Sequence, residues 1–111
     1  ILNNQYMGMV RQWQELLHGG RYSHSYTDSL PDFVKLAEAY GCLGVRALKP
    51  DELDHKIIEM IDYNGPVVFD CVVDQDENCY PMIPSGAAHN EMLLGESDDN
   101  PEVSDEGKVL I

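Results

Sequence analysis

The sequence lacks the residue patterns that mark several common classes of protein. It has only three cysteines, Cys42, Cys71 and Cys79, and no CxxC pair, which argues against a disulfide framework and a zinc knuckle. No apolar run approaches the roughly 20 residues that a membrane helix needs, and no basic segment opens a secretion signal. We therefore expect a cytoplasmic protein that does not enter a membrane.

Positive charge is scarce as well. Seven Lys and Arg stand against 20 Asp and Glu, which gives a formal net charge of −13. Such a surface repels phosphate backbones, so we expect no nucleic-acid partner. Acidic residues dominate the chain end, where Lys108 is the single basic residue after Glu91. We expect residues 95–111 to be an acidic tail that is disordered or becomes ordered on contact.

Three segments have the apolar spacing of amphipathic helices. Their stripes are Met9, Trp13, Leu16 and Leu17; Phe33, Leu36, Ala37 and Tyr40; and Leu53, Ile57, Ile58 and Ile61. In the second segment Pro31 suits a first helical turn, with Asp28 or Ser29 as its cap, and Gly41 suits its left-handed end. Pro50 suits the start of the third helix.

Three apolar stretches alternate with these helices and read as strands: residues 1–2, LGVRAL and PVVFDCVV. The order strand, helix, helix, strand, helix, strand predicts an α/β fold with a parallel sheet and flanking helices. The last stretch is nearly all apolar, as expected for a strand covered on both faces. Because three strands leave apolar faces unpaired and the first begins at its own middle, we expect a fragment of a larger protein.

Polar residues follow directly on the first strand, where open α/β sheets bind their ligands. Residues 3–8 occupy this position, and their amide side-chain and backbone carbonyl oxygens suit Mg²⁺ or Ca²⁺. Gly8 allows close approach of a ligand, and the N-terminus of the following helix suits an anion such as a diphosphate. Asn3 and Asn4 could instead form only a turn bonded to local backbone. The residues alone leave both interpretations open.

Four segments resemble the catalytic subunit of the acetolactate synthase (acetohydroxyacid synthase) family. They are LNNQYMGMVRQWQELLHGGRYSHSY, SLPDFVKLAEAYG, GPVVFDCVV and ENCYPMIPSGAAHNEML. The first opens with the NN that closes the thiamine-diphosphate motif. The resemblance implies that residues 1–94 are the C-terminal part of a thiamine-diphosphate- and Mg²⁺-binding domain, and it leaves residues 95–111 without a function beyond solubility or capping.

The resemblance also implies roles for individual residues. The side chain of Asn4 and the backbone carbonyl of Tyr6 would bind Mg²⁺, and Tyr6, Gly8 and Met9 would lie against the cofactor. The substrate channel would be lined by Val10, Trp13 and Ser85. Spacing alone places Trp13 in a hydrophobic core instead. The four histidines lack the spacing of a metal site or a triad, and we expect no catalytic residue in this chain.

The activity implied by the resemblance is that of a transferase in branched-chain amino-acid biosynthesis. It condenses two pyruvates to 2-acetolactate, or pyruvate with 2-oxobutyrate, with loss of carbon dioxide. The implied cofactors are thiamine diphosphate, Mg²⁺ and FAD, the last bound by a domain outside this chain. A homo-oligomer (dimer or tetramer) and a regulatory small subunit are the implied partners.

The family's activating glutamate and the aspartate of its GDG motif do not lie in these 111 residues, so we expect the isolated fragment to be inactive. Two alternatives stay open. One is another thiamine-diphosphate-dependent 2-oxo acid decarboxylase or carboligase, and the other is a non-catalytic acidic interaction module.

Overall fold

Three parallel strands form one sheet in the structure, a computed structural model that describes residues 1–95. The strands are β1 (Leu2–Asn3), β2 (Leu43–Ala47) and β3 (Val67–Val72), and their order in the sheet is β1-β3-β2. Helices α1 (Gly8–Leu17), α2 (Phe33–Ala39) and α3 (Pro50–Asp62) and a short 3₁₀ helix (His89–Glu91) complete the elements. The predicted α/β class with a parallel sheet is confirmed. All but the first residue of the predicted acidic tail lies outside the described residues.

The chain divides into two compact units. The first contains residues 1–6 and 27–76, and the second contains, of the described residues, 7–26 and 77–95. None of the helices in residues 1–95 is long and apolar enough to cross a membrane.

In the first unit, the sheet and helices α2 and α3 bury a small core. Ala37 of α2 and Val45 and Ala47 of β2 are almost fully buried. Val45 pairs with Phe69 on the central strand β3. Asp70, the one charged residue of PVVFDCVV, is 1% exposed and is the most buried residue of that strand. The apolar run therefore marked the central strand correctly, but its deepest position is polar.

Helix α2 begins later than predicted. Asp32 is its N-cap, because the Asp32 carboxylate accepts hydrogen bonds from the backbone amides of Val34 and Lys35. The predicted caps Asp28 and Ser29 are therefore wrong, since a cap must stand directly before the first helical residue. Gly41 has a φ of +71°, which confirms the left-handed end.

The helical stripes of the first unit are only partly buried. In α2, Ala37 is buried, whereas Leu36 is half-exposed and Tyr40 is largely exposed. In α3, Pro50 stands at the start as predicted, but Ile58 and Ile61 are exposed. Spacing located both helices correctly, and it overstated how much of each stripe meets the core.

In the second unit, α1 buries polar rather than apolar side chains. Gln12 is 1% exposed, and its amide bonds both the N–H and the C=O of Cys79, at 2.8 and 3.0 Å. Arg11 is also buried and pairs with Glu15 at 2.9 Å. The predicted stripe is only partly buried in this unit, because Met9 and Trp13 are about half exposed while Leu16 and Leu17 are partly buried.

Candidate functional site

The segment after β1 is a tight turn held by asparagine side chains. Asn3 Oδ1 accepts a hydrogen bond from the amide of Gln5 at 3.2 Å, and Asn4 Oδ1 accepts one from the amide of Tyr6 at 3.0 Å. Gln5 has a φ of +61°, a left-handed conformation that a non-glycine residue adopts only at a cost. The carbonyl of Gln5 accepts a further bond from Thr27. The asparagine side chains therefore form the local turn that was one of the two interpretations of the sequence.

This turn does not exclude a cation. An amide oxygen has two lone pairs, so Asn4 Oδ1 can accept the Tyr6 amide and still bind a metal ion. In residues 1–95 there is no cluster of three His, Cys, Asp or Glu side chains that could hold one. The neutral oxygens of Asn4 and Tyr6 fit Mg²⁺ as part of a ligand set, because Mg²⁺ usually completes its shell with phosphate oxygens, water and one or two carboxylates.

A buried carboxylate lies behind the turn, on the central strand. Asp70 Oδ1 accepts from Asn3 Nδ2 at 2.9 Å, and Asp70 Oδ2 accepts from Arg46 Nε at 2.8 Å. Arg46 also bonds the helix cap Asp32 at 2.7 Å. Hydrogen bonds to Asp70 and then to Asp32 raise the pKa of Arg46, so the guanidinium stays charged. Sequence reasoning missed this cluster, which is spread over three strands and a helix cap.

The pKa of Asp32 is shifted in the opposite direction. Desolvation alone would raise it, but the hydrogen bond from the Lys35 amide and the bond and charge of Arg46 outweigh that effect, and the pKa is lowered. The Leu48 amide, 2.9 Å from Glu52, likewise lowers the pKa of Glu52 at the start of α3. Both carboxylates are thus held ionised at helix N-termini, where the dipole favours negative charge.

Helix α1 presents an N-terminus without a side-chain cap. Gly8 is its first residue, Met7 stands at the cap position without a capping hydrogen bond, and the first turn contains no acidic residue. The amides of such a first turn are suited to an anion. The predicted cofactor contacts are Gly8 and Met9. They lie at a helix N-terminus whose amides suit an anion such as a diphosphate, and Met9 is exposed.

One face of α1 borders an open cavity of about 800 Å³. Its lining comprises Met9, Val10, Trp13, Gln14, His18, Arg21 and Ser23. Trp13 is 42% exposed, so it shapes a cavity wall and is not a core residue. The structure thus brings together Val10 and Trp13, two of the three residues predicted to line a substrate channel.

The third, Ser85, does not line this cavity. It is exposed in a turn with Gly86, whose φ is +81°. Sequence reasoning missed Gln14 and His18, although they follow Val10 at intervals of four residues, Gln14 on α1 and His18 at its C-cap. Gln14 Nε2 donates to the carbonyl of Ser23, and its buried Oε1 has no hydrogen-bond partner in the described part of the chain. That oxygen is an acceptor available to a ligand.

Comparison with known proteins assigns this segment to a family. Residues 1–71 match the family model described as "Thiamine pyrophosphate enzyme, C-terminal TPP binding domain". The chain is 50% identical over 94 residues to the acetolactate synthase large subunit of Haemophilus influenzae, a match that covers 84% of this chain and 16% of the relative. It is 47% identical over 100 residues to the acetolactate synthase isozyme 3 large subunit of Escherichia coli, covering 87% and 17%.

A third relative extends the comparison beyond bacteria. The acetolactate synthase large subunit of Cyanidium caldarium is 47% identical over 94 residues, again 84% of this chain and 16% of the relative. The chain therefore spans about a sixth of the length of the curated relatives it matches. These relatives confirm the resemblance seen in the four segments. The chain belongs to the thiamine pyrophosphate enzyme family and carries its C-terminal, thiamine-pyrophosphate-binding domain.

Proposed function

We propose that this chain provides the C-terminal cofactor-binding part of an acetolactate synthase. The reaction is the condensation of two pyruvates, or of pyruvate with 2-oxobutyrate, with loss of carbon dioxide in branched-chain amino-acid biosynthesis. The observation that carries the proposal is the 43–50% identity to acetolactate synthase large subunits over most of this chain. The matches cover 84–87% of this chain.

Residues of each unit have separate proposed roles. Asn4 Oδ1 and the carbonyl of Tyr6 hold Mg²⁺ at the carboxyl end of β1. The backbone amides at the start of α1 hold the diphosphate, with Gly8 and Met9 against the cofactor. When bound, thiamine diphosphate supplies the nucleophilic carbon and the electron sink for the loss of carbon dioxide. The residues of this chain bind and orient, and none of them transfers a proton.

The cavity of the second unit is proposed to admit the second 2-oxo acid. Val10 and the Trp13 indole form its apolar wall. A large rigid ring in such a wall selects substrates by their volume. Arg21 contributes positive charge to the lining of this cavity, where its Nε donates to the carbonyl of His18 at 3.0 Å. A 2-oxo acid carries a carboxylate, which such a charge attracts. We extend the same proposal to Ser85, which would join this channel only in a complete subunit.

The remaining features of the proposal concern the complete enzyme. They are FAD bound by a domain outside this chain, assembly into a dimer or tetramer, a regulatory small subunit and a cytoplasmic location. The oligomer and the small subunit rest on the relatives' description as large subunits of acetolactate synthase, whereas FAD and the cytoplasmic location are carried over from the sequence analysis.

The proposal is tested in a chimeric subunit, defined as the Escherichia coli isozyme 3 large subunit in which residues 1–95 of this chain replace the matched segment. We expect the chimeric subunit to convert pyruvate to 2-acetolactate, with the unmodified subunit as control. Acetaldehyde as the main product would favour a decarboxylase instead. A chimeric subunit that binds thiamine diphosphate and consumes no pyruvate would contradict the proposal.

A further inference from the structure

The most deeply buried charge of the first unit lies on its central strand. Asp70 is 1% exposed, and burial of an ionised carboxylate is costly unless both oxygens are bonded. Both are: Arg46 Nε donates to Oδ2 at 2.8 Å, and Asn3 Nδ2 donates to Oδ1 at 2.9 Å. Each donor comes from a different neighbouring strand.

The sheet register explains why these three side chains meet. Arg46 is paired with Asp70, and Asn3 is paired with Val72, two residues beyond Asp70. Because side chains alternate along a strand, all three lie on the same face of the sheet. The bonds therefore run across the sheet from β2 through β3 to β1, at the carboxyl end of β1.

Asn3 continues this chain of hydrogen bonds into the turn. Its Nδ2 is held by Asp70, and its Oδ1 accepts from the amide of Gln5, the residue in the left-handed conformation. Asn4 and Tyr6 stand on either side of Gln5, so the backbone conformation at this one residue determines where the Asn4 oxygen and the Tyr6 carbonyl lie. Because the Asn3 side chain is bonded at both its nitrogen and its oxygen, it cannot rotate freely, and it holds the turn in one conformation.

We propose that Asp70 is a positioning residue for the divalent cation: through Asn3 it fixes the turn at Gln5 that presents Asn4 and Tyr6 to Mg²⁺. This inference rests on the proposed function, because the cation belongs to the cofactor site of that proposal. Asp70 does not touch the cation. It acts as the outer partner of a metal-binding group, a role whose loss typically lowers metal affinity about 10–100-fold.

The test uses two variants of the chimeric subunit, each with a matched control in the same unit. Asp70→Asn removes a buried, ion-paired carboxylate, and Glu59→Gln removes an exposed one that pairs with Lys56 at 2.9 Å. Asn3→Ala removes the link while leaving the Arg46–Asp70 pair intact, and Asn64→Ala removes an exposed asparagine from the segment after α3. If Asp70→Asn prevents folding, Asn3→Ala still tests the inference.

Three quantities are measured: the Mg²⁺ concentration that half-saturates thiamine diphosphate binding, the thermal midpoint, and amide hydrogen exchange at Gln5 and Tyr6 without metal or cofactor. We expect both test variants to raise the Mg²⁺ concentration roughly tenfold and to speed exchange at Gln5, while both controls leave these values unchanged. The double variant Asn3→Ala/Asp70→Asn should be no worse than the more impaired single variant, because both act through one link.

Failure of the positioning role and failure of the proposed function give different results. Variants that lower the thermal midpoint but bind Mg²⁺ normally would show that the cluster only stabilises the sheet, and would overturn the inference. The inference would also be overturned if the increase in Mg²⁺ concentration in the double variant equalled the product of the increases in the two single variants. An unsubstituted chimeric subunit that binds Mg²⁺ and thiamine diphosphate but makes no acetolactate would refute the proposed function and leave the positioning role standing. No Mg²⁺-dependent binding at all would refute both.

Discussion

At the scale of single residues, the molecule uses amide side chains where the sequence pattern suggests only polarity. Backbone groups two or more residues away along the chain are bonded by the side chains of Asn3, Asn4 and Gln12. Gln12 bonds both the N–H and the C=O of Cys79, as the backbone of a neighbouring strand would. The NN pair could be located from sequence because it follows a strand. Gln12 could not, since its partner lies 67 residues away and nothing local distinguishes it from Gln14, which is less buried.

Replacing Gln12 tests this view of buried amides. Gln12→Leu is close to isosteric but leaves the N–H and C=O of Cys79 without their partner, so we expect a loss of about 2–3 kcal/mol in the free energy of unfolding. Chemical denaturation of the chimeric subunit measures it. Gln75→Leu, at an exposed glutamine, is the control and should change stability by less than about 0.5 kcal/mol. Equal effects of the two substitutions would contradict the role of Gln12.

Trp13 gives a second prediction at this scale. Trp13→Leu enlarges the cavity and removes a flat wall, so we expect the preference of the chimeric subunit for 2-oxobutyrate over pyruvate to fall by about tenfold, the amount typical of lost apolar contacts in a pocket. Competition between the two acids, with both products quantified, measures the ratio. Leu16→Ala, on the same helix but not in the cavity lining, is the control. An unchanged ratio in Trp13→Leu would remove Trp13 from the proposed channel.

At the scale of elements, spacing and turn residues located the three α-helices and three strands of residues 1–95, but they did not locate the short 3₁₀ helix or show how each element packs. Pro50 and Gly41 marked helix ends because a fixed φ and a positive φ are local properties. Whether a stripe is buried depends on what packs against it, and Ile58 and Ile61 remain exposed although their spacing matches that of a core face. Periodicity therefore predicts the element and leaves its environment open.

Gly44 is a position of close approach between β2 and α2. A Cβ at Gly44 would lie 2.7 Å from the carbonyl oxygen of Val34 and 2.8 Å from its Cα, both of them backbone atoms. We expect Gly44→Ala to lower the free energy of unfolding by about 1–3 kcal/mol, because helix and strand would have to separate. Gly95→Ala, where no atom lies within 4 Å of the added carbon, is the control. Equal thermal midpoints for the two variants would contradict this packing.

The carboxylates of Asp32 and Glu52, at the N-termini of α2 and α3, predict a dependence of stability on pH. The pKa of Asp32 and that of Glu52 are lowered in the folded state, so folding releases protons from both groups. Their contribution to stability is therefore complete above their unfolded values, near pH 4, and is lost as the pH falls through the folded values. Glu52→Gln should flatten the decline of the thermal midpoint between pH 5 and the onset of acid unfolding, relative to the unsubstituted chimeric subunit. If the thermal midpoint of Glu52→Gln declined with pH as steeply as that of the unsubstituted subunit, this role of Glu52 would be contradicted.

At the scale of the whole molecule, composition excluded more than it identified. The net charge of −13 and the lack of long apolar runs limit the classes of partner, but they are shared by many α/β proteins. Identification depended on motif order: NN, MVRQWQ, the DFV helix and PMIPSG follow one another in a fixed sequence. The Asp70 cluster was beyond sequence reasoning, because residues 3, 32, 46 and 70 converge only when the parallel sheet forms.

The most direct test of the account concerns the cation at the turn after β1. Binding of thiamine diphosphate to the chimeric subunit is titrated with Mg²⁺, with and without the substitution Asn4→Ala. The account predicts saturable, Mg²⁺-dependent binding in the unsubstituted protein and at least a tenfold higher Mg²⁺ requirement in Asn4→Ala. Identical titrations for the two proteins would contradict it.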